Sequence, residues 1–169
     1  MTAALPPLVP RLRLATVWLA GCSGCHMSFL DLDEALFTLA ERFDLVHSPV
    51  ASDRKRFPEG VDVCLVEGAV ASEDNLAMAR RLRRCSRLVV ALGDCALSGN
   101  VTALRNQHPD GLAGMLQRCW GVPADRRDGV LPRLLDRVLP LHAVIRVDHV
   151  LPGCPPGPER IWTLLESLR

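Results

Sequence analysis

Three short stretches carry cysteines whose surroundings could hold an inorganic centre: Gly21-Cys22-Ser23-Gly24-Cys25, Gly93-Asp94-Cys95 and Pro152-Gly153-Cys154-Pro155-Pro156. Two thiolates three residues apart can grip one centre and leave positions to be filled from elsewhere. Four thiolates suit a [4Fe–4S] cube, one per iron. They also suit tetrahedral zinc, but structural zinc usually takes its ligands as two close pairs, and here there is one pair and two singletons. Cys22, Cys25, Cys95 and Cys154 are therefore candidate ligands, with iron–sulfur favoured. The plainer reading is four small buried residues with nothing bound. Gly21, Gly24, Gly93 and Gly153 are expected to leave N–H groups free to face cluster sulfides. Pro155 and Pro156 withhold donors and stiffen the last loop.

The elements needed to bring these loops together are legible as a pattern. An apolar run near 13–19 reads as a strand and ends in the first cysteine loop. A helix is expected over about 28–42, with Phe29, Leu32, Leu36, Leu39 and Phe43 at spacings of three and four. Further strands are expected at 44–49, 61–66, 86–92 and 143–147, the last continuing toward Val150 and Leu151. Ser72 reads as an N-cap, followed by Glu73 and Asp74, for a helix reaching about Arg84. Residues 98–139 read as mostly helical but irregular, broken by Pro109, Gly121, Pro123, Gly129 and Pro132. The chain closes with a helix whose apolar stripe is Ile161, Leu164, Leu165 and Leu168. This alternation implies an α/β fold, a flavodoxin-like doubly wound, mostly parallel five-stranded sheet with helices on both faces. In such a sheet the loops after the first, fourth and fifth strands share one edge, which places all four cysteines at the ligand-binding rim.

Composition narrows the class. The 169 residues fit a single α/β domain over 13–169 preceded by a loose arm at 1–12. Lys plus Arg is 20 and Asp plus Glu is 19, so nothing draws the chain to nucleic acid or an anionic surface. Aromatic content is 4% with no tyrosine, which removes stacking platforms for bases. The 49% hydrophobic share contains no run long enough for a membrane span. The N-terminal stretch lacks the marks of a secretory signal, and seven cysteines without one point to thiol or metal chemistry in a reducing compartment. Cys64 and Cys85 read as packing residues, and Cys119 as either packing or incidental. Arg54-Lys55-Arg56 reads as a solvated loop face. His47, His108, His142 and His149 lack metal-ligand spacing.

Taken jointly, Trp18-Leu19-Ala20-Gly21-Cys22-Ser23-Gly24-Cys25 with Ser28, Val66-Glu67-Gly68, Gly93-Asp94-Cys95-Ala96 and Pro152-Gly153-Cys154-Pro155-Pro156 resemble the small subunit of [NiFe] hydrogenases. The likeness spans about Leu14 to Leu168. It implies that the four cysteines bind the [4Fe–4S] cluster proximal to a NiFe centre held in a separate large subunit. The shortness of the chain after Cys154, and the run from Cys22 to Glu34, are similar to the soluble, cytoplasmic NAD-reducing members. These imply partner diaphorase subunits carrying flavin, NAD and further clusters. The related complex I subunit usually has adjacent cysteines where this chain has Cys22-Ser23-Gly24-Cys25, which argues against that branch. Asp94 stands where many relatives have a small hydroxyl residue, and Asn100 where glycine is common.

The resemblance also implies two candidates beside the cysteines. Glu67, ending the third strand, is either a proton-route carboxylate or a cap for backbone donors. His26 is expected to be solvated or at an interface, or else to donate to a sulfide or a partner carboxylate. Trp18 and part of the amphipathic 28–43 segment are expected in core or against the large subunit. FMN is not expected in this chain, because cysteines take the loop where a phosphate cradle would lie. Three other readings stand beside the main one: a hydrogenase or complex-I-like subunit serving ferredoxin, sulfur or quinone; a zinc-binding structural module; and a cofactor-free α/β interaction domain.

Overall fold

A computed structural model describes residues 10–121 and 132–168. Its main sheet joins β1 (Leu12–Trp18), β2 (Phe43–His47), β3 (Val61–Glu67), β5 (Ser86–Leu92) and β7 (His149–Leu151), in the order β2-β1-β3-β5-β7, every pairing parallel. A separate antiparallel pair joins β4 (Val70–Ser72) to β6 (Leu134–Leu139). The helices are α1 (Gly24–Leu30), α2 (Ala35–Arg42), α3 (Glu73–Cys85), α4 (Asp94–Ser98), α5 (Gly111–Trp120) and α6 (Pro158–Ser167). The expected α/β fold is observed, with five parallel strands and helices on both faces.

The central strand shows why this sequence forms such a sheet. Along β3 only Asp62 is not buried, the signature of a strand covered from both sides. From Val63 on its side chains alternate between two layers, while Val61 at the start of the strand joins the layer of Cys64 and Val66. Val61, Cys64 and Val66 pack with Ala15, Val17, Val89 and Ala91 beneath Ala79 and Leu82 of α3. Val63 and Leu65 pack with Leu14, Val90 and Leu92 against Phe29, Leu39, Ile161 and Leu165. Each such fully buried aliphatic side chain contributes about 1.5–3 kcal/mol. The start of α3 is capped as expected, the Ser72 hydroxyl accepting from the Asn75 N–H at 3.2 Å.

Three expectations need correction. The helix expected over 28–42 is two helices, α1 and α2, separated by a turn in which Asp33 adopts φ +48°. The fifth strand lies at His149–Leu151, not at 143–147; Leu141–Ala143 is a 3-10 turn, and Val144, Ile145 and Val147 pack against the α3-side core. The stretch Leu134–Leu139, expected to be helical, is β6, because pairing with β4 outweighs the helical preference of its leucines. Around it, a 3-10 segment Asn100–Gln107 and α5 are helical as expected, and α4 adds a short helix at Asp94–Ser98, ahead of the expected region. Residues 1–9 of the expected arm, with Pro123 and Gly129, lie outside the described residues. Among the described residues no helix is long and apolar enough to cross a membrane.

Candidate metal centre

The parallel register draws one row across the sheet at its carboxyl rim: Trp18 opposite Glu67, Glu67 opposite Leu92, Leu92 opposite Leu151. The cysteine loops leave from this row. Cys22 and Cys25 follow β1, Cys95 follows β5 and Cys154 follows β7, while Glu67 ends the strand between the first two loops. The rim expected from the sequence is therefore present.

A mesh of hydrogen bonds ties the loops together. The first is stapled to the turn after β3 by paired backbone bonds between Ala20 and Ala69, at 3.0 and 2.8 Å. This close approach requires Gly68, which sits at φ +92° and where a Cβ would fall within 2.9 Å of the Ala20 backbone. The second and third loops are joined by Gly93 N–H to Leu151 C=O (2.8 Å), Asp94 N–H to Gly153 C=O (2.9 Å) and Gly153 N–H to the Asp94 carboxylate (2.8 Å). The first and third are linked by the buried Ser28 hydroxyl, which donates to the Pro156 carbonyl. These ties correct one expectation: the N–H groups of Gly93 and Gly153 are used to clip loop to loop and are not free to face sulfides. Gly93 serves in another way, since a Cβ there would overlap the Cys25 sulfur.

The sulfurs lie in graded exposure, Cys25 buried, Cys95 intermediate, Cys22 and Cys154 exposed. Burial pushes the Cys25 thiol up to about 12, and the fields of Glu67, Cys95, Cys22 and Cys154 push the same way. Burial also raises Cys95, opposed by a hydrogen bond from the Asn100 side chain and reinforced by Cys154, Cys22 and Glu67. The four candidate ligands thus share one electrostatic neighbourhood. Yet among the described residues no three His, Cys, Asp or Glu side chains converge closely enough to hold a single metal ion. A zinc ion needs all its thiolates about 2.3 Å from one point. A cube with one thiolate per iron sets its four thiolates farther apart than that.

Glu67 and His26 form a pair that sequence spacing did not reveal. Glu67 is 2% exposed and His26 1%. The Glu67 carboxylate accepts from the His26 backbone N–H at 3.0 Å and meets His26 Nδ1 at 2.5 Å. The expectation of a solvated or interface histidine is corrected: folding buries the ring against the carboxylate. Among the described residues its Nε2 is buried without a partner. The backbone-capping role considered for Glu67 is present, because His26 lies in the first turn of α1, one residue after Cys25. Trp18 and Met27, both 44% exposed, flank the rim, and the Trp18 indole donates to the Gly21 carbonyl at 3.0 Å. The remaining cysteines stand apart: Cys64 is fully buried, burial raising its thiol to about 12, Cys85 packs at the core edge and Cys119 is exposed.

Known proteins share this layout. Residues 22–168 match the family described as NADH ubiquinone oxidoreductase, 20 Kd subunit. The chain is 36% identical over 165 residues to the delta subunit of NAD-reducing hydrogenase HoxS from Cupriavidus necator, covering 94% of this chain and 78% of that one. It is 34% identical to a component of the F420-non-reducing hydrogenase vhu of Methanocaldococcus jannaschii, covering 92% of this chain but 55% of the relative, about half its length. In a crystal structure of NAD+-reducing [NiFe]-hydrogenase in the H2-reduced state, one chain superposes with TM-score 0.84 at 40% identity, covering 95% of this chain and 94% of that one. A [NiFeSe]-hydrogenase chain from Dm. baculatum, at TM-score 0.61 and 18% identity, shares the fold. The chain belongs to the family of the 20 Kd subunit of NADH ubiquinone oxidoreductase and, within it, to the [NiFe] hydrogenase small subunits that include the HoxS delta subunit.

Proposed function

We propose that this chain is the electron-transfer subunit of a cytoplasmic NAD-reducing [NiFe] hydrogenase, with Cys22, Cys25, Cys95 and Cys154 holding one [4Fe–4S] cluster proximal to a NiFe site in a large subunit. The observation that supports this reading is that the three loops bearing the four cysteines all leave one rim of the parallel sheet. When bound, the cluster supplies one-electron chemistry between the hydrogen-splitting centre and a flavin/NAD module in partner diaphorase subunits. The chain's own residues do the rest. Cys25, deep beneath the rim, is the inner anchor; Cys22 and Cys154 lie toward solvent, where a partner would seat. Ser28, Asp94 and Gly68 fix the loops. Residues 13–169 act as one iron–sulfur-binding unit, and Trp18 and Met27 offer apolar surface beside the rim to the large subunit. Glu67, paired with His26, is the proton-route candidate on this side of the interface.

Anaerobically reconstituted chain should carry about four irons and four sulfides. Cys95→Ala should abolish the broad visible absorption. One zinc without sulfide, or absorption and electron transfer unchanged in Cys95→Ala, would reject the ligand set. The similarity to the F420-non-reducing enzymes keeps a second acceptor in view. The subunits that co-purify, and hydrogen-dependent NAD+ reduction by that complex, decide between the two.

A further inference from the structure

We propose that Asn100 sets the reduction potential of the group held at the rim, by donating a side-chain hydrogen bond to the Cys154 sulfur. The proposal rests on the iron–sulfur reading above and concerns a residue that is not itself a ligand. Asn100 Nδ2 stands 3.5 Å from Cys154 Sγ, within hydrogen-bonding range for sulfur. The contact spans 54 residues of sequence, so the fold creates it.

The backbone is shaped to deliver this amide. Asn100 sits at φ +40°, a left-handed conformation that few side chains adopt, directly after Gly99 at φ +85°. Gly99 N–H donates to the Cys95 carbonyl at 2.9 Å, closing α4, and Asn100 N–H donates to the Ser98 hydroxyl at 3.3 Å. The turn is thereby hung on the residue that carries the third cysteine and aimed at the fourth. Space at Gly99 is limiting as well, since a Cβ there would come within 2.7 Å of Ala103. A non-glycine residue in a costly conformation, with its one polar group on a candidate ligand, is an outlier with a use.

The consequence follows from charge. Adding one electron, with no bond made or broken, increases the negative charge shared by the cluster and its thiolates. An N–H donor directed at a thiolate stabilises that reduced state more than the oxidised one, which raises the potential. Asn100 is therefore a positioning residue that acts through Cys154.

The test uses holoprotein purified anaerobically, with Asn100→Gly and Asn100→Asp as variants, because glycine and aspartate both tolerate the left-handed backbone. Iron and sulfide are counted first, and the midpoint is then read by mediated dithionite titration followed by EPR. Asn100→Gly should keep its iron and sulfide while its reduced-to-oxidised ratio at the wild-type midpoint falls about tenfold, a 59 mV downward shift for a one-electron couple. Asn100→Asp, which sets a carboxylate against the sulfur, should fall further. Full iron content with an unchanged midpoint in both variants overturns the proposal. Loss of iron in both also overturns it, by making Asn100 a retention residue. If the wild-type protein itself holds no iron and sulfide, the iron–sulfur reading fails, and that failure is seen before any variant is compared.

Discussion

At the scale of single residues, Glu67 does two things at once. Its carboxylate satisfies a backbone donor at the start of α1 and fixes the His26 ring, so it positions Cys25 through the residue that follows it. Glu67→Ala would leave both donors buried and unsatisfied, each at about 1–3 kcal/mol. Urea unfolding of the full chain should show a loss of roughly that sum. Glu67→Gln keeps one acceptor and should unfold with a smaller loss. If Glu67 carries protons, the Gln variant keeps its cluster absorption while hydrogen-dependent turnover of the complex falls; unchanged turnover limits Glu67 to positioning. The rim position of the four cysteines and of the Glu67-Gly68 turn was legible because each follows an apolar strand with a glycine one or two residues away. The His26 partnership was not. Its partner is 41 residues away, and a histidine next to a ligand cysteine has no local pattern separating a buried ring from a solvated one. The available signal was weak: a continuously apolar strand that ends in a carboxylate needs a donor at the rim. Asp94 was visible as a departure from relatives, but the sequence could not show that it bonds the Gly153 N–H.

At the scale of elements, Asp148 shows how the last strand is placed. Burial alone would raise its carboxyl, but hydrogen bonds from Arg83 and the Val89 N–H, with the charges of Arg83 and Arg146, outweigh burial and hold it below the usual carboxylate range. Arg83 also donates to the carbonyls of Ser86, Arg87 and Arg146, so one cluster locks the end of α3, the start of β5 and the approach to β7. A carboxyl lowered in the folded state stabilises above its unfolded value, about 3.9. That stability is lost as pH falls through the folded value. Asp148→Asn should therefore destabilise the chain by about 1–3 kcal/mol at neutral pH, and the gap from wild type should close in acid. Equilibrium denaturation at pH 7 and pH 3 measures it; a gap that persists in acid contradicts the assignment. The same cluster explains why the fifth strand was misplaced. Val144, Ile145 and Val147 have strand-like composition, but they are taken up by the α3-side core, and pairing begins only beyond Asp148. Strands β1, β3 and β5 were legible because burial on both faces writes a near-continuous apolar run, broken only by Arg13 and Thr16 in β1, by Asp62 and the terminal Glu67 in β3, and by Ser86 and Arg87 at the start of β5. Strand β6 was hidden, since its exposed Asp136 and Arg137 and its leucines resemble a helix until β4 is beside them.

At the scale of the whole molecule, stability and site are built from different parts. Two apolar layers clamp the sheet without using Cys22, Cys95 or Cys154, while Cys25 alone of the four reaches into a core layer. The three loops are joined to one another by only a few hydrogen bonds, so a cluster bridging all of them would supply most of the rim's rigidity. Binding energy that exists only in the folded state adds to stability by mass action. Removing iron from holoprotein with a chelator under anaerobic conditions should accordingly act unevenly. Amide hydrogen exchange should rise by an order of magnitude or more around residues 20–26, 93–100 and 152–157, regions whose opening is local. Protection in β3 and β5 should stay near its holo value, because their side chains are buried in the layers and not at the rim. Equal loss of protection in β3 would mean that the cluster, not the apolar layers, holds the sheet together. No change at the rim would mean that the loops are already rigid, and that their hydrogen bonds alone are enough to present the thiols.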